Sequence, residues 1–185
     1  MSDFHQRFIA HLRLLSGRDR GALAALRRSL AFAPGAHAPA MPFVEPFAAR
    51  DSTREAQRQA LYLAAGLYAA NPRQRTGQSL GAALAVARRR RKSESIERRF
   101  LALLGADAEG VAVHLRHANS LLAAEELGCD YAALAADLES WLDPWNDELR
   151  DRVRQRWARD FYHDLAAREP EAASADNTSA KEDAP

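Results

Sequence analysis

Apolar side chains recur three or four residues apart along almost the whole of this chain. Near the N-terminus the pattern is clear at Phe4, Phe8, Leu12 and Leu15, a spacing that places all four side chains on one face of an α-helix. A β-strand buried on one side needs apolar residues at every second position, and no stretch of the sequence keeps that alternation. The chain is therefore predicted to be all-α, without a substantial sheet.

Prolines and capping residues divide this pattern into about eight helices. The predicted fold is a compact bundle of these helices in two small lobes. The stretch 33–50 contains four prolines, which rule out a regular helix, but its apolar residues Phe43, Val44 and Phe47 are expected to pack on the body. Ser52 and Glu55 form a capping box that opens the next helix. The expected helices cover 4–15, 19–32, 52–70, 79–91, a segment that Ser93 or Ser95 caps and Gly105 ends, 108–124, 131–141 and a last helix from Asp143-Pro144 to about 167.

Two lobes and a tail are the expected domain organisation. A basic N-terminal lobe over residues 1–92 and a C-terminal lobe over 93–167 together form one helical domain. Residues 168–185 are mostly acidic, small or polar, and such a composition cannot bury enough apolar surface to offset the entropy lost on ordering. We expect them to form a disordered acidic tail.

Composition excludes several classes of protein. The chain has 185 residues and a single cysteine, Cys129, so an internal disulfide framework and a multi-cysteine metal site are both excluded. No apolar run reaches the roughly 18 residues that a membrane span needs, and the N-terminus shows no apolar signal-peptide core. The expected location is the cytoplasm, without a membrane partner.

No residue pattern in the sequence points to catalysis or to a cofactor. There is no phosphate-binding glycine loop, dinucleotide fingerprint, nucleophile elbow or zinc-protease motif. His114 and His117 have a metal-compatible spacing but make only half a site, so they are interpreted as solvated or phosphate-facing. Cys129 precedes a helix N-terminus, which can lower the pKa of a thiol, yet without a paired base it is interpreted as structural.

Aromatic residues crowd the last two predicted helices. Trp141, Trp145 and Trp157 recur at helical spacing with Phe161 and Tyr162. Such side chains can stack on nucleobases, but their position among leucines favours core packing for the whole group.

The net charge of +1 conceals a strong asymmetry. Residues 1–99 contain 18 lysines and arginines against 7 acidic residues, whereas residues 100–185 contain 8 against 18. Of the 26 basic residues 24 are arginine, and each guanidinium can hold two phosphate oxygens at once. The asymmetry suggests a polyanionic partner, although charges spread over solvated helix faces would give the same count.

The basic residues fall at helix ends or on polar helix faces, as Arg27-Arg28, Arg54, the run from Arg88 to Lys92, Arg98-Arg99 and Arg116. A polyanion would relieve the repulsion within such clusters, and phosphate contacts supply affinity without reading sequence. No recognition helix, zinc finger or aromatic-bearing sheet is present to read bases. The pattern indicates binding to a nucleic-acid backbone.

Several short motifs occur in the order that is seen in a known family. They are Arg20-Gly21 with Leu26-Arg27-Arg28, the helix 60–69, Ser79-Leu80-Gly81, residues 95–100 with Leu103-Leu104, Leu115-Arg116 before Leu121-Leu122, Asp130-Tyr131, and residues 157–162. In this order the chain resembles the small subunit, or CasB family, of the type I-E CRISPR Cascade surveillance complex. The resemblance covers about residues 10–165 and leaves out the stretch 33–48, the run 88–92 and the tail.

The resemblance implies a non-catalytic, cytoplasmic subunit of an antiviral defence complex. Its implied partners are the crRNA, the target and displaced DNA strands, the other Cascade subunits and a second copy of itself. R-loop formation is nearly balanced in energy, so modest backbone contacts can tip it, and cleavage would belong to a separate helicase-nuclease. The expected nucleic-acid-binding residues lie in the motifs and in the arginine run: Arg27, Arg28, Arg54, Arg88, Arg89, Arg98, Arg99 and Arg116.

Two other functions remain open on the sequence. One is a protein–protein adaptor whose basic half docks on an acidic partner, and the other is a stand-alone enzyme of unknown type. Some of the arginines could also be fold supports, since Glu97 is the immediate neighbour of Arg98.

Overall fold

Helices account for nearly all the regular structure of the described residues, as the apolar spacing predicts. A computed structural model describes residues 3–48 and 55–166. The helices are α1 (Asp3–Arg18), α2 (Arg20–Ser29), α3 (Met41–Val44), α4 (Glu55–Ala70), α5 (Leu80–Arg91), α6 (Glu94–Leu104), α7 (Val111–Ala124), α8 (Tyr131–Leu142) and α9 (Asp147–Ala166). Within these two ranges no strand forms, and a single isolated β-bridge joins Gln74 to Cys129.

The proline-rich stretch is less irregular than predicted. It holds a short 3-10 helix, Ala38–Ala40, and the single-turn helix α3, each with a proline at one of its first two positions. Proline is tolerated there because the first amides of a helix have no intrahelical acceptor. Val44 is buried, and Phe43 and Phe47 pack against the core, so the predicted packing of this stretch is confirmed.

Local capping signals explain where several of the helices begin. The side chain of Asp19 accepts from the Ala22 amide, Ser79 accepts from Ala82, and Asp130 accepts from Ala132 and Ala133. Two predicted starts are wrong by about three residues. Asp107 caps a turn that precedes α7, and Asn146 accepts from the Leu149 amide at the start of α9 in place of Asp143-Pro144.

One cluster of buried apolar side chains runs through the molecule from Phe8 to Phe161. The long apolar helix α4 lies against α2 and α8, and α5 lies against α9. The cluster thus contains side chains from both sides of the boundary at residue 92, and the division into lobes stays a prediction. No helix in the described ranges is long and apolar enough to cross a lipid bilayer.

Two sequence predictions fall on parts of the chain outside the described residues. These are the capping box that begins at Ser52 and the acidic tail over 168–185.

Candidate nucleic-acid interface

Arg27 and Arg28 lie on the solvent side of the last turn of α2. Leu26 and Ser29 point into the body, so the two arginines between them are left exposed. Neither guanidinium forms an ion pair or a hydrogen bond with another described residue. A cation at the C-terminus of a helix is favoured by the helix dipole, which stabilises the pair where it stands while leaving its donors open to a ligand.

Arg116 joins α7 to the same end of α2. Its Nη1 donates to the main-chain carbonyl of Leu30, a group at the helix end that lacks an intrahelical donor. The side chain is half-buried. This hydrogen bond joins Arg116 to the end of α2 that carries Arg27 and Arg28, across 86 residues of sequence.

Arg98 and Arg99 form a second exposed pair, in the middle of α6. Ile96, Phe100 and Leu103 occupy the buried face of this helix. The helical periodicity places Arg98 on the opposite face and Arg99 at the edge of the buried one. Both side chains are exposed and form no ion pair with the described residues. The neighbouring Glu97 does not pair with Arg98, since its partners are Arg88 and Tyr162.

The arginine run at the end of α5 is used inside the protein. Arg88 Nε lies 2.9 Å from Glu97 Oε2, and Arg89 Nη1 lies 3.0 Å from Asp164 Oδ2 and also donates to the Asp164 carbonyl. Both arginines are half-buried. These interactions tie α5 to α6 and α9, so the positive charge of Arg88 and Arg89 is partly neutralised where it stands.

The rest of the run is tied to the end of α7. Arg90 Nη1 donates to the Glu125 carbonyl at 2.9 Å, and Arg91 Nε contacts the Glu125 carboxylate at 2.5 Å. The mutual repulsion that the sequence suggested for this run is thereby relieved by the protein itself.

The eight predicted arginines therefore divide by environment. Arg54 lies outside the described residues. Four are exposed and unpaired within the described part of the chain, and three hold helices together: Arg27, Arg28, Arg98 and Arg99 in the first group, and Arg88, Arg89 and Arg116 in the second.

A third cluster of arginines was missed from the sequence. Arg13 of α1 and Arg73 and Arg75 of the loop before α5 line one cleft of about 570 Å³. Arg73 is 3.7 Å from Glu126, a loose ion pair, and all three arginines are exposed. Arg13 is far from Arg73 and Arg75 in the sequence, so the sequence does not show that the three lie together. The polar character of the loop was the sole local sign of a binding site there.

The cysteine is structural. Cys129 is buried, and burial raises the pKa of its thiol, with the Asp130 carboxylate acting in the same direction. A raised pKa disfavours the thiolate that a nucleophile needs. Its position before the N-terminus of α8 therefore gives it no reactivity.

The aromatic group divides between core and surface. Trp141 and Trp157 are buried and stack with ring centroids 5.2 Å apart, and Phe161 stacks on Phe100 at 4.3 Å. The prediction of core packing is wrong for Trp145, which is 93% exposed in the turn between α8 and α9, and for Tyr162, which is 43% exposed. The reason for the first is that α9 begins at Asp147, so residue 145 never joins the helical face that the spacing assumed.

Helices around one core, with exposed arginine pairs on α2 and α6, define a class of small helical proteins that present unpaired arginines to the solvent. The sequence model of one family, CRISPR-associated protein Cse2, matches residues 22–162. The chain belongs to this family, and the resemblance seen in the sequence is confirmed.

Known proteins show the same relationship. The chain is 42% identical over 167 residues to a CRISPR-associated protein Cse2 of Thermus thermophilus, a match that covers 89% of this chain and 93% of that protein. The crystal structure of CasB from M. ruber is similar with a TM-score of 0.75 at 30% identity, covering 92% of this chain and 98% of that one. A chain in a CRISPR RNA-guided surveillance complex is similar with a TM-score of 0.77 at 25% identity, covering 91% and 97%.

Proposed function

We propose that this protein is the non-catalytic small subunit of a type I-E Cascade complex, in which it contacts the backbones of crRNA and target DNA and stabilises the R-loop. Membership of the Cse2 family supports the assembly, as does the similarity to a chain of a surveillance complex. The observation that carries the backbone binding itself is the pair of exposed arginine doublets, Arg27-Arg28 and Arg98-Arg99, which lack partners in the described part of the fold.

These guanidiniums are suited to phosphate because each keeps its donors free. A hydrogen bond between charged groups contributes roughly 1.5–3 kcal/mol, and solvent exposure brings each of these interactions toward the low end. Several weak interactions along a backbone can still tip an exchange of duplex for heteroduplex that is almost balanced in energy. Arg88, Arg89 and Arg116 act in this proposal by holding α2, α5 and α6 in position, and Arg54 remains a proposed phosphate ligand.

The test compares alanine variants of the two doublets with a matched control. Arg159 is also exposed and unpaired within the described residues, but it lies on α9 in the acidic half of the chain. The variant with all four doublet arginines replaced by alanine is expected to keep its thermal midpoint. It is also expected to bind single-stranded nucleic acid more weakly, with a salt slope reduced by about 0.7 for each phosphate that the variant no longer neutralises. Arg159→Ala is expected to change neither quantity.

The same variants are then assembled with the other Cascade subunits. Normal assembly with a less stable R-loop supports the proposal. Failure of the four-arginine variant to assemble, with unchanged nucleic-acid affinity of the isolated protein, would support instead the adaptor whose basic half docks on an acidic protein.

A further inference from the structure

An open cleft of about 600 Å³ lies between α5, α6 and α7. Its size falls within the range of small-ligand sites. Apolar side chains form most of its lining: Leu84 from α5, Ile96, Phe100 and Leu103 from α6, and Ala118 and Leu121 from α7. The leucines, the isoleucine and the phenylalanine of this lining are buried, and the exposed apolar residues of the cleft are Ala102 and Ala124. Apolar surface that remains open to solvent after folding often marks a binding site.

The remainder of the cleft lining is rich in basic side chains that carry N–H donors. Arg91, Arg99, His114 and His117 line it, and none of the described residues lining it is a carboxylate. Arg91 is held by Glu125 at one end, whereas Arg99 and His117 are exposed and form no ion pair within the described ranges. The cleft therefore combines an apolar interior with donors for an anion at its edge.

This combination matches the two parts of a nucleotide. A nucleobase is flat and largely apolar on its faces, and it is joined to a phosphate that needs positively charged donors. The cleft is also continuous with the proposed interface, because Arg99 belongs both to the exposed doublet of α6 and to the cleft. A backbone that passes along Arg98 and Arg99 thus runs beside the opening.

We propose that this cleft accepts one unstacked nucleobase of a single strand, while Arg99 and His117 contact the phosphate next to it. The proposal rests on the proposed function, since it needs a strand to lie along α6. Bases in a duplex are paired and stacked, so the site selects single-stranded over double-stranded nucleic acid. It tolerates any sequence, because contact with the faces of a base does not distinguish one base from another.

Filling the cleft without changing its charge tests the proposal. Ala102 on α6 and Ser120 on α7 line it and are exposed, so Ala102→Leu and Ser120→Leu occupy its space without adding an aromatic ring that could itself stack on a base. Val113→Leu is the control, since Val113 is an exposed residue of the same helix α7 and does not line the cleft. Thermal melts of all three variants establish that they fold.

The probes are a short oligothymidine and an oligonucleotide of equal length in which abasic sites replace the bases. The unmodified protein and Val113→Leu are expected to bind the oligothymidine on the order of tenfold more tightly than the abasic strand, as stacking of a single base would give. Both cleft-filling variants are expected to lose this preference while binding the abasic strand as before. A 2-aminopurine placed in the strand is expected to change its emission with the unmodified protein and not with the filled variants.

The outcomes separate this site from the function it rests on. If the filled variants keep the preference for the base-containing strand, the proposal is overturned, and the cleft is left for an apolar side chain of a protein partner. Equal affinity of the unmodified protein for the two strands also overturns it but leaves backbone binding intact. Failure of the unmodified protein to bind either strand would refute the proposed function itself.

Discussion

Single side chains in this protein take their role from what surrounds them, and the tryptophans show this most clearly. Trp141 is fully buried, stacked on Trp157 and covered by the guanidinium of Arg154 at 5.1 Å from its ring centroid. Trp145, four residues later, contributes nothing of this kind because it stands in solvent. Its neighbours Asp143, Asp147 and Glu148 are acidic, which makes this turn unsuited to a nucleic-acid backbone.

Replacing the two tryptophans is therefore expected to have different results. Trp141→Ala removes a large buried side chain and should lower the free energy of unfolding by about 3–5 kcal/mol. Trp145→Ala should change it by less than about 0.5 kcal/mol, as is usual for an exposed position. Urea unfolding of both variants checks this. A strongly destabilised Trp145→Ala variant would contradict the exposed position of Trp145.

Asp137 is a carboxylate placed in the interface between α8 and α9. Its Oδ2 accepts from Trp157 Nε1 at 2.6 Å, and its other oxygen contacts Arg156. Burial raises the pKa of Asp137 to about 6, because desolvation outweighs the opposing effects of Trp157 and Arg156. The folded protein consequently holds the proton of this group more tightly than the unfolded chain does.

A pKa raised on folding makes stability depend on pH in a defined direction. The contribution of Asp137 is fully present below about pH 4 and is lost as the pH rises through about 6. Asp137→Asn mimics the protonated form, so its gain in stability over the unmodified protein should grow between pH 4 and pH 7 by on the order of 2–3 kcal/mol. Urea unfolding at several pH values measures this. Asp151→Asn, at a more exposed carboxylate that pairs with Arg154, is the control, and growth of the same size in that variant would contradict the assignment to Asp137.

At the scale of elements, a glycine on α5 allows this helix to pack very closely on α9. A Cβ added to Gly81 on α5 would lie within van der Waals overlap of the Trp157 carbonyl oxygen on α9. The ion pair between Arg89 and Asp164 joins the same two helices near the C-terminal end of each. Close backbone packing and a charge pair together fix how α5 lies on α9.

Gly81→Ala is expected to separate these helices and to destabilise the protein by roughly 1–3 kcal/mol, the usual cost of overpacking. Gly17→Ala is the matched control. A Cβ at Gly17 meets nothing within 4 Å, and alanine is favoured over glycine in a helix by about 0.5–1 kcal/mol, so this variant should be slightly more stable than the unmodified protein. Thermal melts of the two variants should move in opposite directions. A Gly81→Ala variant as stable as the parent would contradict the close packing.

At the scale of the whole molecule, the arginines of α9 and those of the two exposed doublets differ in how they are paired. On α9, Arg150, Arg152 and Arg154 each bind a carboxylate three or four residues earlier on the same helix. The doublet arginines on α2 and α6 form no ion pair with a residue of their own helix. Exposed guanidiniums without a partner among the described residues are therefore found on α2 and on α6, in the basic half of the sequence.

Removal of the acidic tail is expected to leave this body intact. The buried residues of α9 are Val153, Trp157 and Phe161, and the helix ends at Ala166. Truncation after Arg168 should therefore keep the thermal midpoint, since the deleted residues are mostly polar or acidic and carry little apolar area to bury. A midpoint lowered by about ten degrees would show that the tail packs on the body, because a shift of that size corresponds to several kcal/mol.

The sequence by itself determined the helices and the family. Helix formation depends on interactions within four residues and on caps such as Asp19, Ser79 and Asp130, all of which are local. Core positions on these helices followed from their spacing, and the ordered motifs were enough to indicate the Cse2 family. The errors in the predicted helix starts were also local in origin. Asp107 and Asp143 resemble helix caps, but each accepts a hydrogen bond from a turn that precedes the helix.

Only the tertiary structure decided which arginines remain free. Arg89 meets Asp164 and Arg116 meets Leu30 across 75 and 86 residues of sequence, so no local pattern distinguishes these arginines from Arg27 or Arg98. The same holds for the clefts, whose walls come from separate helices. A charge in a sequence is a property of one residue, whereas its availability to a partner depends on every group that folding brings beside it.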